Sequence, residues 1–194
     1  MEVVLIKYNA GNIQSVSFAL ERLGVDFSIT DDVEEIKKAD KVIFPGVGEA
    51  STTMNFLRER KLDQVITSLR QPVLGVCLGM QLMCRHSEEN NTDCLGIFDL
   101  VVKKFTPKGN LKVPHMGWNQ LQVKDAWLDP ALQNQNVYFV HSFYVPVNES
   151  TSAVTDYITH FSAALHRDNF YAVQFHPEKS AAAGELVLKS FLKL

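Results

Sequence analysis

The sequence predicts an α/β fold: a doubly wound, mostly parallel sheet flanked by helices, with an antiparallel β extension. Three observations point there. Short apolar runs alternate with helical stretches through the first half, as repeated β-α-β units require. Two of those runs stop at glycine-bearing turns, 45–48 and 75–79, and sites in such sheets form where strands end. The second half is richer in strands, and a closing helix follows them.

In chain order, EVVLIKY (2–8) is an apolar, β-branched run suited to a buried strand. Residues 12–23 set Ile13, Val16, Leu20 and Leu23 on one helical face, with Gly24 just past the helix end. DFSIT (26–30) and KVIF (41–44) read as strands separated by a charged, polar segment. Ser51 is the expected cap of a helical region that runs to about residue 69 and breaks near Lys61. VLGV (73–76) is a strand again, and LGMQLMCRH the helix that follows Cys77. Strands are expected over 96–105, 112–123, 137–145, 151–158, 162–167 and 170–175, and a helix over 184–192.

With 46% apolar and 21% charged residues, the 194-residue chain is expected to form one domain, 1–194, around a sizeable core. A formal net charge of −3 gives no electrostatic footprint for nucleic acid or an anionic membrane. No apolar run is long enough to span a bilayer, and MEVVLIKYNAG lacks the form of a signal peptide. Cys77, Cys84 and Cys94 make neither a disulfide framework nor a CxxC zinc knuckle. A cytoplasmic setting with free thiols is expected, in which Cys84 and Cys94 are buried or inert. The sequons at 90–92 and 148–150 are then chance.

Cys77 invites two readings. Free cysteine is among the most buried residue types, yet strand-Gly75-x-Cys77-x-Gly79-helix has the form of a nucleophile elbow. Small neighbours allow the tight turn, and the following helix favours the thiolate, the attacking species. A cysteine nucleophile needs a base, and the base an orienting group. His176 ends the strand FYAVQF, and Glu178 lies two residues on, on the same side of an extended chain. Alone, the pair also fits a strand-end histidine beside a surface glutamate; His86, His160 and His166 read as solvated or structural. The loop Pro45-Gly46-Val47-Gly48 lets backbone N–H groups approach a ligand, and with the Leu78 amide it can form an oxyanion hole. Alone it also fits a plain turn. The three signals on one sheet edge carry more weight than any of them singly.

The three segments FPGVGEA (44–50), GVCLGMQ (75–81) and QFHPEKS (174–180) resemble, in order and spacing, the signatures of the class I (triad-type) glutamine amidotransferases. That resemblance spans most of the chain. It implies a triad of Cys77, His176 and Glu178, an oxyanion region at Gly46, Val47, Gly48 and Leu78, and a glutamine-holding side chain at Gln81. Within the family, NAGNIQSV (9–16), PGVG, VPHMGWNQL (113–121), YFVHSFYV (138–145) and Lys179-Ser180 are most similar to the glutaminase subunits of imidazole glycerol phosphate synthases. This subfamily resemblance implies glutamine contact by Ser142 and Phe143, mainly through backbone. Candidates for a partner interface are Asn12, Tyr138 and Lys179. His115 and Trp118 also fit packing roles, and His141 a hydrogen bond within the fold. The opening stretch departs from the family pattern, with Lys7, Asn9 and Ala10 where an acid and a second glycine are frequent.

The resemblance implies hydrolysis of glutamine to glutamate and ammonia through a glutamyl thioester, with no metal, nucleotide or redox cofactor in any step. It also implies a heterodimer with a (β/α)8-barrel cyclase subunit, since the chain is expected to hold no domain that consumes ammonia. The glutaminase of anthranilate or aminodeoxychorismate synthase is the rival reading, against which HMGWNQ and PGVG argue. A silent scaffold, a cysteine peptidase and a γ-glutamyl hydrolase are weaker ones.

Overall fold

Four short strands whose every residue is buried set the architecture: Val3–Ile6, Lys41–Phe44, Val73–Val76 and Phe170–Val173. A parallel sheet covered on both faces demands such runs. The computed structural model describes residues 1–9 and 12–194, so Ala10 and Gly11 lie outside the described residues. The chain runs β1 (Val3–Ile6), α1 (Ile13–Arg22), β2 (Phe27–Thr30), α2 (Val33–Lys38), β3 (Lys41–Phe44), α3 (Ala50–Glu59), α4 (Leu62–Ser68), β4 (Val73–Val76) and α5 (Leu78–Met83). There follow β5 (Cys84–Ser87), β6 (Thr92–Asp93), β7 (Phe98–Lys104), β8 (His115–Gln120), β9 (Gln122–Val123), β10 (Asn136–His141), β11 (Phe143–Tyr144), β12 (Thr151–Asp156), β13 (His160–Arg167), β14 (Phe170–Val173) and α6 (Ala181–Leu192).

The main sheet has the order β2-β1-β3-β4-β14-β13-β12-β9. Its first five strands are parallel and the last three antiparallel. Alternation along each strand feeds two cores. Val3, Leu5, Ile43 and Leu74 pack toward α1 and α6, while Val4, Ile6, Val42 and Phe44 pack toward α2, α3, α4 and α5. Fully burying a side chain such as Ile43 or Phe44 stabilises the fold by about 1.5–3 kcal/mol. The order β2-β1-β3-β4 reverses direction at β1, the kind of switch point beside which doubly wound sheets hold their sites. A four-stranded sheet (β11-β7-β5-β6) and the ribbon β10-β8 sit beside the main one.

The strand expected over 170–175 stops at Val173, so Gln174, Phe175 and His176 follow it rather than end it. The structure differs from the expected elements chiefly in five further places. The polar segment before β3 contains α2, capped by the Asp32 carboxylate on the N–H groups of Glu34 and Glu35. The cap of α3 is Glu49 rather than Ser51; its carboxylate accepts from Ser51 N and Thr52 N. The helix after Cys77 ends at Met83, and Cys84, Arg85 and His86 enter β5. The runs 112–123 and 137–145 are each divided, into β8/β9 and β10/β11. The last helix starts at Ala181, three residues early. The break at Lys61 lies where expected, with φ 59 between α3 and α4.

Candidate active site

Strand pairing builds the site. β4 and β14 are parallel neighbours in the register Val76↔Val173, so the residues that leave them, Cys77 and Gln174, emerge side by side. The Cys77 N–H donates to Val173 O at 2.8 Å. The loop after β3 and Asn12, at the start of α1, reach the same carboxyl edge. Cys77 has φ 52 and ψ −106, a strained elbow of the kind kept at functional sites. Its glycines have steric reasons. A Cβ on Gly79 would lie 2.1 Å from Phe44 O, and one on Gly75 would lie 2.9 Å from Met83 Sδ and 3.0 Å from the Gly79 carbonyl carbon.

His176 is fully buried, and its Nδ1 lies 2.7 Å from Glu178 Oε1. Asn12, in the left-handed region at φ 75, donates its side-chain amide to the same oxygen. The histidine backbone is fixed too: its N–H donates to Tyr138 O at 2.9 Å, and its carbonyl accepts from Ser180 Oγ at 2.6 Å. Nδ1 carries the proton given to Glu178, and Nε2 has no geometric hydrogen-bond partner among the described residues. Burial opposes the charged ring, but Cys77 and Glu178 outweigh it and raise the His176 pKa to about 10. The proton of the pair therefore rests on the imidazole.

A cleft of about 330 Å³ opens over the sulfur, lined among others by Val47, Leu78, Gln81, Glu89, Ser142 and Phe143, within the size range of small-molecule sites. Gly48 lines it as well, whereas Gly46 is buried behind it. The Leu78 N–H donates to Gly46 O at 3.2 Å, so in this arrangement it faces the loop rather than the cleft. The Gln81 Nε2 donates to Phe143 O at 3.1 Å and to Gln174 Oε1 at 2.9 Å, tying the wall together. Of the interface candidates, Asn12 meets Glu178, Tyr138 is half-buried with its ring 5.9 Å from Trp118, and Lys179 is exposed.

Three features of the site escaped the sequence reading. Glu89 is the cleft's carboxylate; its Oε2 accepts from Ala50 N at 2.8 Å, and burial raises its pKa. Gln174 contacts Cys77. The wall at 141–143 is held by a chain of neutral imidazoles whose direction is fixed at one end. Phe143 O can only accept, so His141 Nδ1 donates to it at 2.6 Å. His141 Nε2 then accepts from His115 Nδ1 at 3.1 Å, and His115 Nε2 from Asn119 Nδ2 at 3.4 Å. His115 is also stacked on Tyr157, with ring centroids 4.0 Å apart.

Fold and site together define an α/β protein in which a cysteine elbow meets a buried histidine–glutamate pair at one sheet edge. The family described as glutamine amidotransferase class-I matches residues 4–194, and the chain belongs to it. Within that family the chain is 64% identical, over 100% of both sequences, to the imidazole glycerol phosphate synthase subunit HisH of Bacteroides fragilis (strain YCH46). It is 62% identical, again over 100% of both, to the protein of the same name in Bacteroides thetaiotaomicron. Among solved structures, a glutamine amidotransferase from Thermotoga maritima shares the fold with a TM-score of 0.63 at 15% identity, covering 100% of this chain and 83% of that one.

Proposed function

We propose that the chain is the glutaminase subunit of an imidazole glycerol phosphate synthase, releasing ammonia from glutamine in histidine biosynthesis. The observation that carries the reading is the buried His176–Glu178 pair, held at 2.7 Å, beside a cysteine elbow that opens into a glutamine-sized cleft. The relatives named HisH support the choice of synthase.

In the proposed mechanism the Cys77 proton already rests on His176, and the thiolate attacks the side-chain carboxamide of glutamine. The imidazolium protonates the departing ammonia, leaving a glutamyl thioester, and the neutral ring then takes a proton from the hydrolytic water. Glu178 and Asn12 hold the ring with Nε2 toward the sulfur. Backbone N–H groups near Val47 and Leu78 receive the oxyanion. Glu89 faces the far end of the cleft, where its charge suits the α-ammonium of glutamine.

The ammonia is consumed by a cyclase partner, for which a (β/α)8 barrel is the proposed form. Docking at the cleft's rim is supported by β8, which exposes Met116 (63%) and Trp118 (54%) on one side and pairs Trp118 with Tyr138. With the Leu78 N–H turned onto Gly46 O, the free chain is expected to hydrolyse glutamine slowly. An assay of glutamate release with and without the purified cyclase and its nucleotide tests this. Strong stimulation is expected; full turnover by the isolated chain would refute the coupling.

A further inference from the structure

The Cys77 sulfur has a neighbour for which the triad and the oxyanion loop give no account. Gln174 is fully buried, and its Nε2 lies 3.7 Å from Cys77 Sγ. The orientation of this amide follows from its surroundings. Phe143 O only accepts, so the Gln81 atom 3.1 Å from it is the nitrogen. That nitrogen carries its second hydrogen to Gln174, 2.9 Å away, so the Gln174 atom there is the oxygen. The Gln174 nitrogen is thereby turned to the sulfur. Besides the His176 ring, the other contact of the sulfur among the described residues is Val140 O at 4.0 Å, which suits a thiol and does nothing for an anion. A buried amide is costly unless bonded, and the sulfur is the acceptor this one meets. Gln174 is absent from the cleft lining, so it is shielded from the substrate.

We propose that Gln174 is a catalytic residue: its amide N–H holds the Cys77 sulfur in its attacking direction and stabilises the anionic form, with Gln81 fixing the amide. The proposal rests on the reading of Cys77 as nucleophile. No bond to Gln174 forms or breaks. Its hydrogen bond matters twice, when the sulfur has given its proton to His176 and when the collapsing thioester expels the sulfur as an anion. The titratable side chains coupled to the sulfur are His176 and Tyr8, and both stay in place in the test.

The experiment titrates the ultraviolet absorbance of the thiolate in the full chain, with Cys77→Ala as the blank, and measures kcat and KM in the presence of the cyclase. Loss of one hydrogen bond to a charged acceptor in Gln174→Leu is expected to raise the thiolate midpoint by about 1–2 pH units and lower kcat about ten- to hundredfold. KM is expected to stay within about threefold, because the residue lies outside the cleft. Gln174→Glu, of equal size but with only acceptors when ionised, is expected to shift the midpoint at least as far. Gln81→Leu, which frees the amide to turn, is expected to shift it less and in the same direction; it decides the matter if circular dichroism shows that neither Gln174 variant folds. A midpoint within about 0.3 unit of the parent in the folded variants, with kcat intact, would overturn the proposal. Glutamine hydrolysis by Cys77→Ala would instead overturn the functional reading, a separate outcome.

Discussion

Acidification from pH 7 to pH 5 is expected to destabilise the fold through two buried histidines, His141 in the cleft wall and His115 beside it. His115 and His141 are 3% and 6% exposed. Burial lowers the His115 pKa from 6.5 to about 4. For His141, burial is again the main cause, opposed by the hydrogen bond to Phe143 and reinforced by His115 and His176, and it lowers the pKa from 6.5 to about 3. A lowered folded-state pKa means that the unfolded chain takes up the proton first. Stability is therefore present above about 6.5 and drains away as the pH falls toward the folded value. From pH 7 to pH 5 each histidine costs about 2 kcal/mol, about 4 kcal/mol for the two.

His176 acts in the opposite sense. Its raised pKa of about 10 keeps it protonated in the fold throughout, while the unfolded residue loses its proton near neutrality. That favours the fold at the acid end by about 1 kcal/mol and leaves a net loss of about 3 kcal/mol. Glu89, raised by burial, offsets a further part. Urea unfolding at pH 5, 6 and 7 measures the slope directly. His115→Asn, whose amide can still donate to His141, isolates one contribution. Its overall stability falls with the lost stacking on Tyr157, but its pH 7-to-5 loss should shrink by about 2 kcal/mol. Parental stability flat within about 0.5 kcal/mol, or an unchanged slope in His115→Asn, would refute the reasoning.

Glu89→Gln keeps an acceptor for Ala50 N but removes the cleft's negative charge; steady-state kinetics are expected to show KM for glutamine raised about ten- to hundredfold with kcat little changed. Gly79→Ala drives a methyl to within 2.1 Å of Phe44 O, backbone against backbone. It is expected to cost about 3 kcal/mol, read as a melting temperature lower by about 6–12 °C.

What the sequence revealed about the site is what its chemistry demands locally. An elbow needs Gly75 and Gly79 around Cys77, and an oriented imidazole needs a carboxylate two residues on, so both could be read from spacing. Gln174 could not, because its contact with Cys77 spans 97 residues and exists only through the β4–β14 register. Glu89 stands in a polar stretch with no local mark, and its place in the cleft depends on the 3₁₀ turn Glu89–Asn91 bonding to the start of α3. The helices follow the same logic. α1 shows a clear stripe, but α2 buries only Ile36 and so has no apolar period to detect. Every residue of α5 is buried, which removes the polar face that would have marked where it gives way to β5.

The slow resting turnover proposed above has a structural counterpart in the glycine loop. Successive carbonyls of Pro45 and Gly46 point inward, onto the Tyr8 hydroxyl and the Leu78 N–H. Breaking the Leu78–Gly46 bond costs about 1 kcal/mol, whereas an oxyanion donor is typically worth about 2.7–4 kcal/mol. On those figures alone, the tetrahedral intermediate would recruit Leu78 without help. A resting chain that is slow therefore needs a second restraint on the same peptide. Gly46 supplies the place for it: a Cβ there would lie 2.6 Å from the Tyr8 oxygen and 2.9 Å from Gly79 N, so the loop rests tightly between the Tyr8 side chain and the elbow. Turning the Gly46 carbonyl away must disturb the Tyr8 bond and that packing together. A partner that binds the turned loop better need supply only this difference to release the Leu78 N–H.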